Sequence, residues 1–164
     1  MLGRLLVGIM EHPVIRVLFS STINNPLALL VRLVTGSHYT HVSVILEGVH
    51  HEISLFDGTI LTILDDPNGG LGGKTEELRI PMVDPGWSLE FPEIVLFQRI
   101  SIKDSFLYHL KRLWHPKYRL TTPVVNCVTM TNIILNHNLQ TNKFCGYTPD
   151  DLYAQIKQYL SSRQ

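Results

Sequence analysis

The sequence predicts an α+β fold. Three observations carry this: a helix start at Asn24-Asn25-Pro26, runs rich in β-branched residues between His41 and Ile100, and apolar residues at helical spacing from Ser101 onward. The chain has 164 residues, 45% of them apolar and 17% charged, enough to bury one core. A single domain over residues 1–164 is expected, with no repeat or linker-like run to divide it.

Each element has a local reason. Asn24 can cap a helix with Pro26 in its first turn, and Gly36 closes it after Val34. Its apolar run, Leu27 to Val34, reads as a buried helix; the other reading is an amphipathic segment lying on a membrane surface. His41-Val42-Ser43-Val44-Ile45-Leu46 and His50-His51-Glu52-Ile53-Ser54-Leu55 read as two strands joined at Glu47-Gly48-Val49 as a hairpin. Further strands are expected at residues 59–64, 77–80 and 94–100, with the Gly-rich residues 66–73 as a surface loop. Phe106, Leu107, Leu110, Leu113 and Trp114 then mark an amphipathic helix closed by Pro116. Asn126 is placed to cap a helix from Cys127 to His137, with Val128, Thr131, Ile134 and Leu135 on its inner face. A last helix, about 149–160, starts with Thr148 as cap, Pro149 in first position, and Asp150 and Asp151 facing the positive end of the dipole. The order is therefore helix, β meander, then helices.

Composition excludes several classes. Lys and Arg number 14 against 14 Asp and Glu, so no long-range field draws in a polyanion, and nucleic acid is not the default partner. Two cysteines cannot build a disulfide framework or a structural zinc module. The apolar stretch Leu5 to Met10 is interrupted by Glu11, His12 and Pro13 before it reaches the length of a signal peptide or membrane span. No signal peptide or transmembrane segment is expected, and a cytoplasmic chain is the expectation.

Cys127 stands out because a thiol in the first turn of a helix meets unpaired N–H groups and the positive dipole end, which favour the thiolate. Without a base nearby, such a cysteine is simply a small apolar filler. Of the eight histidines, His38, His41, His50 and His51 crowd into the first hairpin. If Glu47 and Gly48 form a two-residue turn, His41 stands opposite Ser54, Ser43 opposite Glu52 and Ile45 opposite His50 on one face. His41 and Glu52 are then diagonal neighbours, supplying a base for the thiol and a carboxylate to orient it. His50 is a reserve orienter. A one-residue register error would put His51 there in place of Glu52.

Three other readings are weaker. His38, His41 and His50 could ligate a metal, but they lack a compact ligand set, so neither metal nor cofactor is expected. Asn68-Gly69-Gly70-Leu71-Gly72-Gly73-Lys74-Thr75 ends like a phosphate loop, yet Asn68 replaces its first Gly and an extended segment follows where a helix should open. Lys111, Arg112, Lys117 and Arg119 interleave with Trp114 and Tyr118, a pattern that a solvated helix edge explains without nucleic acid.

Four segments, in order, resemble the circularly permuted papain-like amidases, relatives of NlpC-type cell-wall cysteine peptidases and of lecithin:retinol acyltransferase. Leu33-Val34-Thr35-Gly36-Ser37-His38-Tyr39-Thr40-His41-Val42-Ser43-Val44 is similar to the family's histidine-bearing strand, and His51-Glu52-Ile53 to the strand after it. Val125-Asn126-Cys127 resembles the nucleophile helix start, and Thr148-Pro149-Asp150-Asp151-Leu152 the closing motif. The motif-bearing part is about residues 26–160. The resemblance implies a permuted papain-like fold with an antiparallel sheet against the Cys helix, histidine preceding cysteine in the chain, and Cys127, His41 and Glu52 as nucleophile, base and third polar residue. Many proteins with this histidine segment are bacteriophage-encoded, which the resemblance also suggests, and with it a virion-associated location as the alternative to a cytoplasmic one.

The expected function is a cysteine-dependent hydrolase or acyltransferase acting on an amide or ester through an acyl-enzyme. Cell-wall peptide, protein amide and lipid ester are the substrate classes that the resemblance implies. The alternative is a catalytically silent binding or virion structural protein on the same fold.

Overall fold

The computed structural model describes residues 13–21, 26–53, 60–64, 74–82, 89–92 and 126–163, together with residues 107, 110, 111, 114 and 115. The elements run β1 (Val14–Ser21), α1 (Pro26–Thr35), β2 (His41–Leu46), β3 (Val49–Ile53), β4 (Ile60–Leu64), β5 (Lys74–Pro81), α2 (Cys127–Asn138) and α3 (Pro149–Ser161). The class is α+β. All the described strands pair antiparallel in one five-stranded sheet of order β4-β3-β2-β1-β5.

Strand β1 corrects the expected order, which began with a helix. Ile15, Val17 and Phe19 are fully buried and alternate with the half-buried Arg16 and Leu18, the period-2 pattern of a strand with one core face. Full burial of such side chains stabilises by about 1.5–3 kcal/mol each. β1 lies inside the sheet, pairing Val17 with Val44 of β2 and with Leu78 of β5.

The β2–β3 connection is the two-residue turn on which the site expectation depended. Ile45 faces His50 and Leu46 faces Val49, leaving Glu47 and Gly48 in the turn with φ of 48° and 78°. Positive φ at both positions is what a tight hairpin of the right twist requires, and glycine adopts it freely. The carboxylate of Glu47 also accepts from the Leu89 N–H at 3.0 Å, which ties the turn to the segment at 89–92.

Strand β5 starts at Lys74, ahead of the expected 77, so Lys74 and Thr75 pair with Ser21 and Ser20 in the sheet. No helix opens at Lys74, where a phosphate-binding loop would need one. The expected strand at 94–100 and the loop at 66–73 lie outside the described residues.

Helices α2 and α3 pack on one sheet face. Val128, Met130, Ile134 and Leu135 of α2 and Leu152 and Ile156 of α3 close over Val17, Phe19, Val42, Val44 and Ile80. Strand β2 is buried along its whole length, so His41, Ser43 and Ile45 are enclosed as well. Polar groups in such a setting need partners.

The expectation that α1 is a buried helix is corrected: it buries Ala28 and Val34 but exposes Leu29, Leu30 and, at 70%, Leu33. With Arg32 as the one polar residue between Leu27 and Val34, the run carries too little polar pattern to reveal which side faces the core. In the region of the expected 101–116 helix, residues 107, 110, 111 and 114 are helical and the His115 N–H donates to the Lys111 carbonyl at 2.8 Å. Their apolar side chains are exposed too, Trp114 at 79%. Among the described residues, no helix is long and apolar enough to cross a membrane.

Candidate active site

Cys127 is the first residue of α2, as its capping residue dictates. The Asn126 side chain accepts from the Thr129 N–H at 2.9 Å, and the Thr129 hydroxyl accepts from the Asn126 N–H at 2.7 Å, a reciprocal cap with Thr in the third position. The Met130 N–H is taken by the Asn126 carbonyl, and the Thr131 hydroxyl donates to the Cys127 carbonyl at 2.9 Å. The Cys127 N–H is one of the first-turn donors that have no acceptor within the helix.

His41 opens β2, and Glu52 lies in β3. The register places Ser43 opposite Glu52, so His41 is the diagonal neighbour of Glu52 on that face. His41 Nε2 stands 3.6 Å from Glu52 Oε2, an ion-pair distance longer than a hydrogen bond. The ring is 1% exposed and neither nitrogen makes a hydrogen bond. It interacts instead with the Cys127 thiol and the Glu52 carboxylate.

Electrostatics follow from this grouping. Burial by itself would push the His41 pKa down, but the neighbouring Cys127 and Glu52, which favour the charged ring, outweigh burial and raise it to about 9. Burial pushes the Cys127 thiol up; His41 beside it, helped by the Val42 and Val128 backbone N–H groups, outweighs that and lowers it. The carboxyl of Glu52 is held below its ordinary range, chiefly by His41. The arrangement favours a thiolate beside an imidazolium.

His50 joins the same face. Its Nε2 lies 2.7 Å from Ser43 Oγ and 3.9 Å from Glu52 Oε2, so Glu52 stands between two imidazoles. The half-buried carboxylate is thus flanked by His41 and by a histidine already bonded to Ser43. The residue next in line, His51, points the other way and stacks on Phe91 with ring centroids 4.5 Å apart. Burial first, then the charge of His50, lowers its pKa.

The four hairpin histidines therefore have separate surroundings. His38 is exposed and meets the Tyr39 ring edge-on, His41 faces Cys127, His50 bonds to Ser43, and His51 stacks on Phe91. Among the described residues, no group of three or more His, Cys, Asp or Glu is arranged to hold a metal ion. Cys145, the other thiol, is exposed in the loop before α3, 3.7 Å from Gln155 Nε2.

Sequence reasoning missed two contributors. Ser43 is not recognisable as a partner of His50, because any serine in a strand looks alike. Asp150, placed by the sequence at a helix dipole and in the closing motif, accepts from the distant segment that leads into His41. The sole signal for the second was the closing motif itself.

No family model matches the chain, and no curated protein or solved structure matches it either.

Proposed function

We propose that this chain is a cysteine-dependent hydrolase or acyltransferase that cleaves an amide or ester bond through an acyl-enzyme, on a permuted papain-like fold. The observation that supports the reading most is the convergence of Cys127, His41 and Glu52 from α2, β2 and β3. A thiolate, its conjugate imidazolium and an orienting carboxylate are the parts such chemistry needs.

In the proposed reaction, Cys127 Sγ attacks the carbonyl carbon, forming an S–C bond and a tetrahedral oxyanion. The Cys127 N–H, free of an intrahelical acceptor, donates to that oxyanion. His41 Nδ1, the nitrogen not turned toward Glu52, carries the thiol proton and delivers it to the leaving amine or alcohol as the C–N or C–O bond breaks. Water or another acceptor then attacks the thioester, giving its proton back to His41 and releasing the thiolate. Glu52 keeps the imidazole oriented and steadies its positive charge.

The substrate class is a cell-wall peptide, a protein amide or a lipid ester. A test independent of that choice uses an activated ester, p-nitrophenyl acetate. Mass spectrometry should show a single acetyl group on Cys127 in a rapid burst, absent from Cys127→Ala and slowed in His41→Ala. Acetylation confined to Cys145, or a Cys127 burst indifferent to His41→Ala, would replace this reading with the silent binding protein.

A further inference from the structure

The segment Ser37-His38-Tyr39 joins α1 to β2 and delivers the chain to His41. Three of its groups converge on one carboxylate more than a hundred residues away. Ser37 Oγ donates to Asp150 Oδ1 at 2.7 Å, the His38 N–H to Oδ2 at 2.7 Å and the Tyr39 N–H to Oδ1 at 3.0 Å. In return, the Asp150 N–H donates to Ser37 Oγ at 3.3 Å. Three donors on a carboxylate form a charge-assisted grip much stiffer than one neutral bond.

The grip is not a by-product of helix capping. The start of α3 is already closed by Thr148 and Asp151: the Thr148 hydroxyl accepts from the Asp151 N–H at 3.1 Å, and Asp151 Oδ2 accepts from the Thr148 N–H at 3.0 Å. Asp150 is left to serve the distant segment. Burial opposes its ionisation, but the His38 and Tyr39 N–H groups, the Ser37 hydroxyl and the nearby His38 ring outweigh burial and keep the carboxyl below its usual range.

A second tie runs parallel. The Tyr39 hydroxyl donates to Glu76 Oε2 at 2.5 Å, and the Tyr153 hydroxyl, one turn along α3 from Asp150, donates to the other oxygen of Glu76. The rings of Phe19, Tyr39 and Tyr153 pack mutually at 5.2 to 5.3 Å. Beyond Tyr39, the Thr40 N–H donates to the Ser20 carbonyl at 2.9 Å, and the next residue, His41, enters the sheet opposite Ser20.

We propose that Asp150 is a positioning residue for His41: by clamping Ser37, His38 and Tyr39, it sets where the imidazole stands against Cys127. The proposal rests on the Cys127–His41 reading above. Its consequence is steep, because a displacement of about 1 Å between reacting groups costs up to ~10²-fold in rate.

The experiment is peptide-mapped alkylation of Cys127 by iodoacetamide from pH 5 to 9, beside thermal unfolding, on wild type, His41→Ala, Asp150→Asn, Ser37→Ala and Asp151→Ala. Asp150→Asn should move the midpoint of the Cys127 profile upward by about one pH unit, with alkylation at pH 6 about tenfold slower. Ser37→Ala should move it the same way by less, and it carries the comparison alone should Asp150→Asn not fold. Asp151→Ala, which loses only the cap, should lower the melting temperature and leave the profile in place. If wild type and His41→Ala differ but Asp150→Asn and Ser37→Ala keep the wild-type profile, Asp150 is structural only and the proposal is overturned. If wild type and His41→Ala coincide, the thiolate–imidazolium reading itself fails, and this proposal with it.

Discussion

His41 Nε2 and Glu52 Oε2 lie 3.6 Å apart on one face of a hairpin, and a two-residue turn at Glu47-Gly48 puts them there. With Leu46 paired to Val49, positions whose numbers sum to 95 stand opposite one another, and His41 falls one diagonal step from Glu52. A slip of one residue would turn Glu52 to the Phe91 side, where His51 now stacks.

Removal of the reacting groups should separate their roles. Cys127→Ala and His41→Ala are each expected to lower kcat/KM on a cleavable substrate by ~10²-fold or more, and Glu52→Gln by less, since it orients rather than reacts. The check is steady-state kinetics on variants whose circular dichroism matches wild type. Full activity in Cys127→Ala would discard the cysteine mechanism.

The pH–rate profile should have an alkaline limb set by His41. Its pKa is raised to about 9, so the imidazolium persists through neutral pH and is lost as the pH climbs through that value. Glu52→Gln removes one of the two groups that stabilise the charged ring, which brings the limb down by about one unit. A limb that stays in place in Glu52→Gln would show that the carboxylate does not act on His41.

Stability in acid should report on the same carboxylate. The folded pKa of Glu52 is lowered, so its contribution is present above the unfolded value of about 4.3 and disappears as the pH falls through the folded one. The stability difference between wild type and Glu52→Gln, read from urea unfolding at pH 6 and at pH 3, should shrink at the lower pH. A difference that is constant or larger at pH 3 would contradict an ionised, paired Glu52.

The cap of α2 offers a fourth measurement. Asn126→Ala leaves the Thr129 N–H without its acceptor and should cost about 1 kcal/mol of stability. The same change loosens the turn that carries Cys127, so alkylation of Cys127 at pH 6 should slow while that of the exposed Cys145 is unchanged. Equal slowing of both thiols would point to a general loss of fold.

Much of this was legible in the residues because it is local. Asn126 and Thr148 cap the helices they were expected to cap, and the inner face of α2 buries Val128, Thr131, Ile134 and Leu135 as its spacing implied. The hairpin register follows from its turn length, and with it the His41–Glu52 diagonal. β1 is harder to see in the residues: Ile15, Val17 and Phe19 alternate as a strand should, but the outward Val14 and Leu18 are apolar too, which blurs the period.

Tertiary structure alone decided what depends on residues far apart in the chain. Caps, turn length and apolar period are encoded within a few neighbouring residues, so the sequence by itself determined the α+β class, the helix that starts at Cys127 and the face that His41 shares with Glu52. That α2 brings Cys127 to His41, that Ser43 holds His50, that α1 leaves Leu33 in solvent and that Asp150 grips Ser37, His38 and Tyr39 are outcomes of packing. Such contacts form only when burial of the common core brings the elements together, and no local pattern specifies which partner a buried polar group will find.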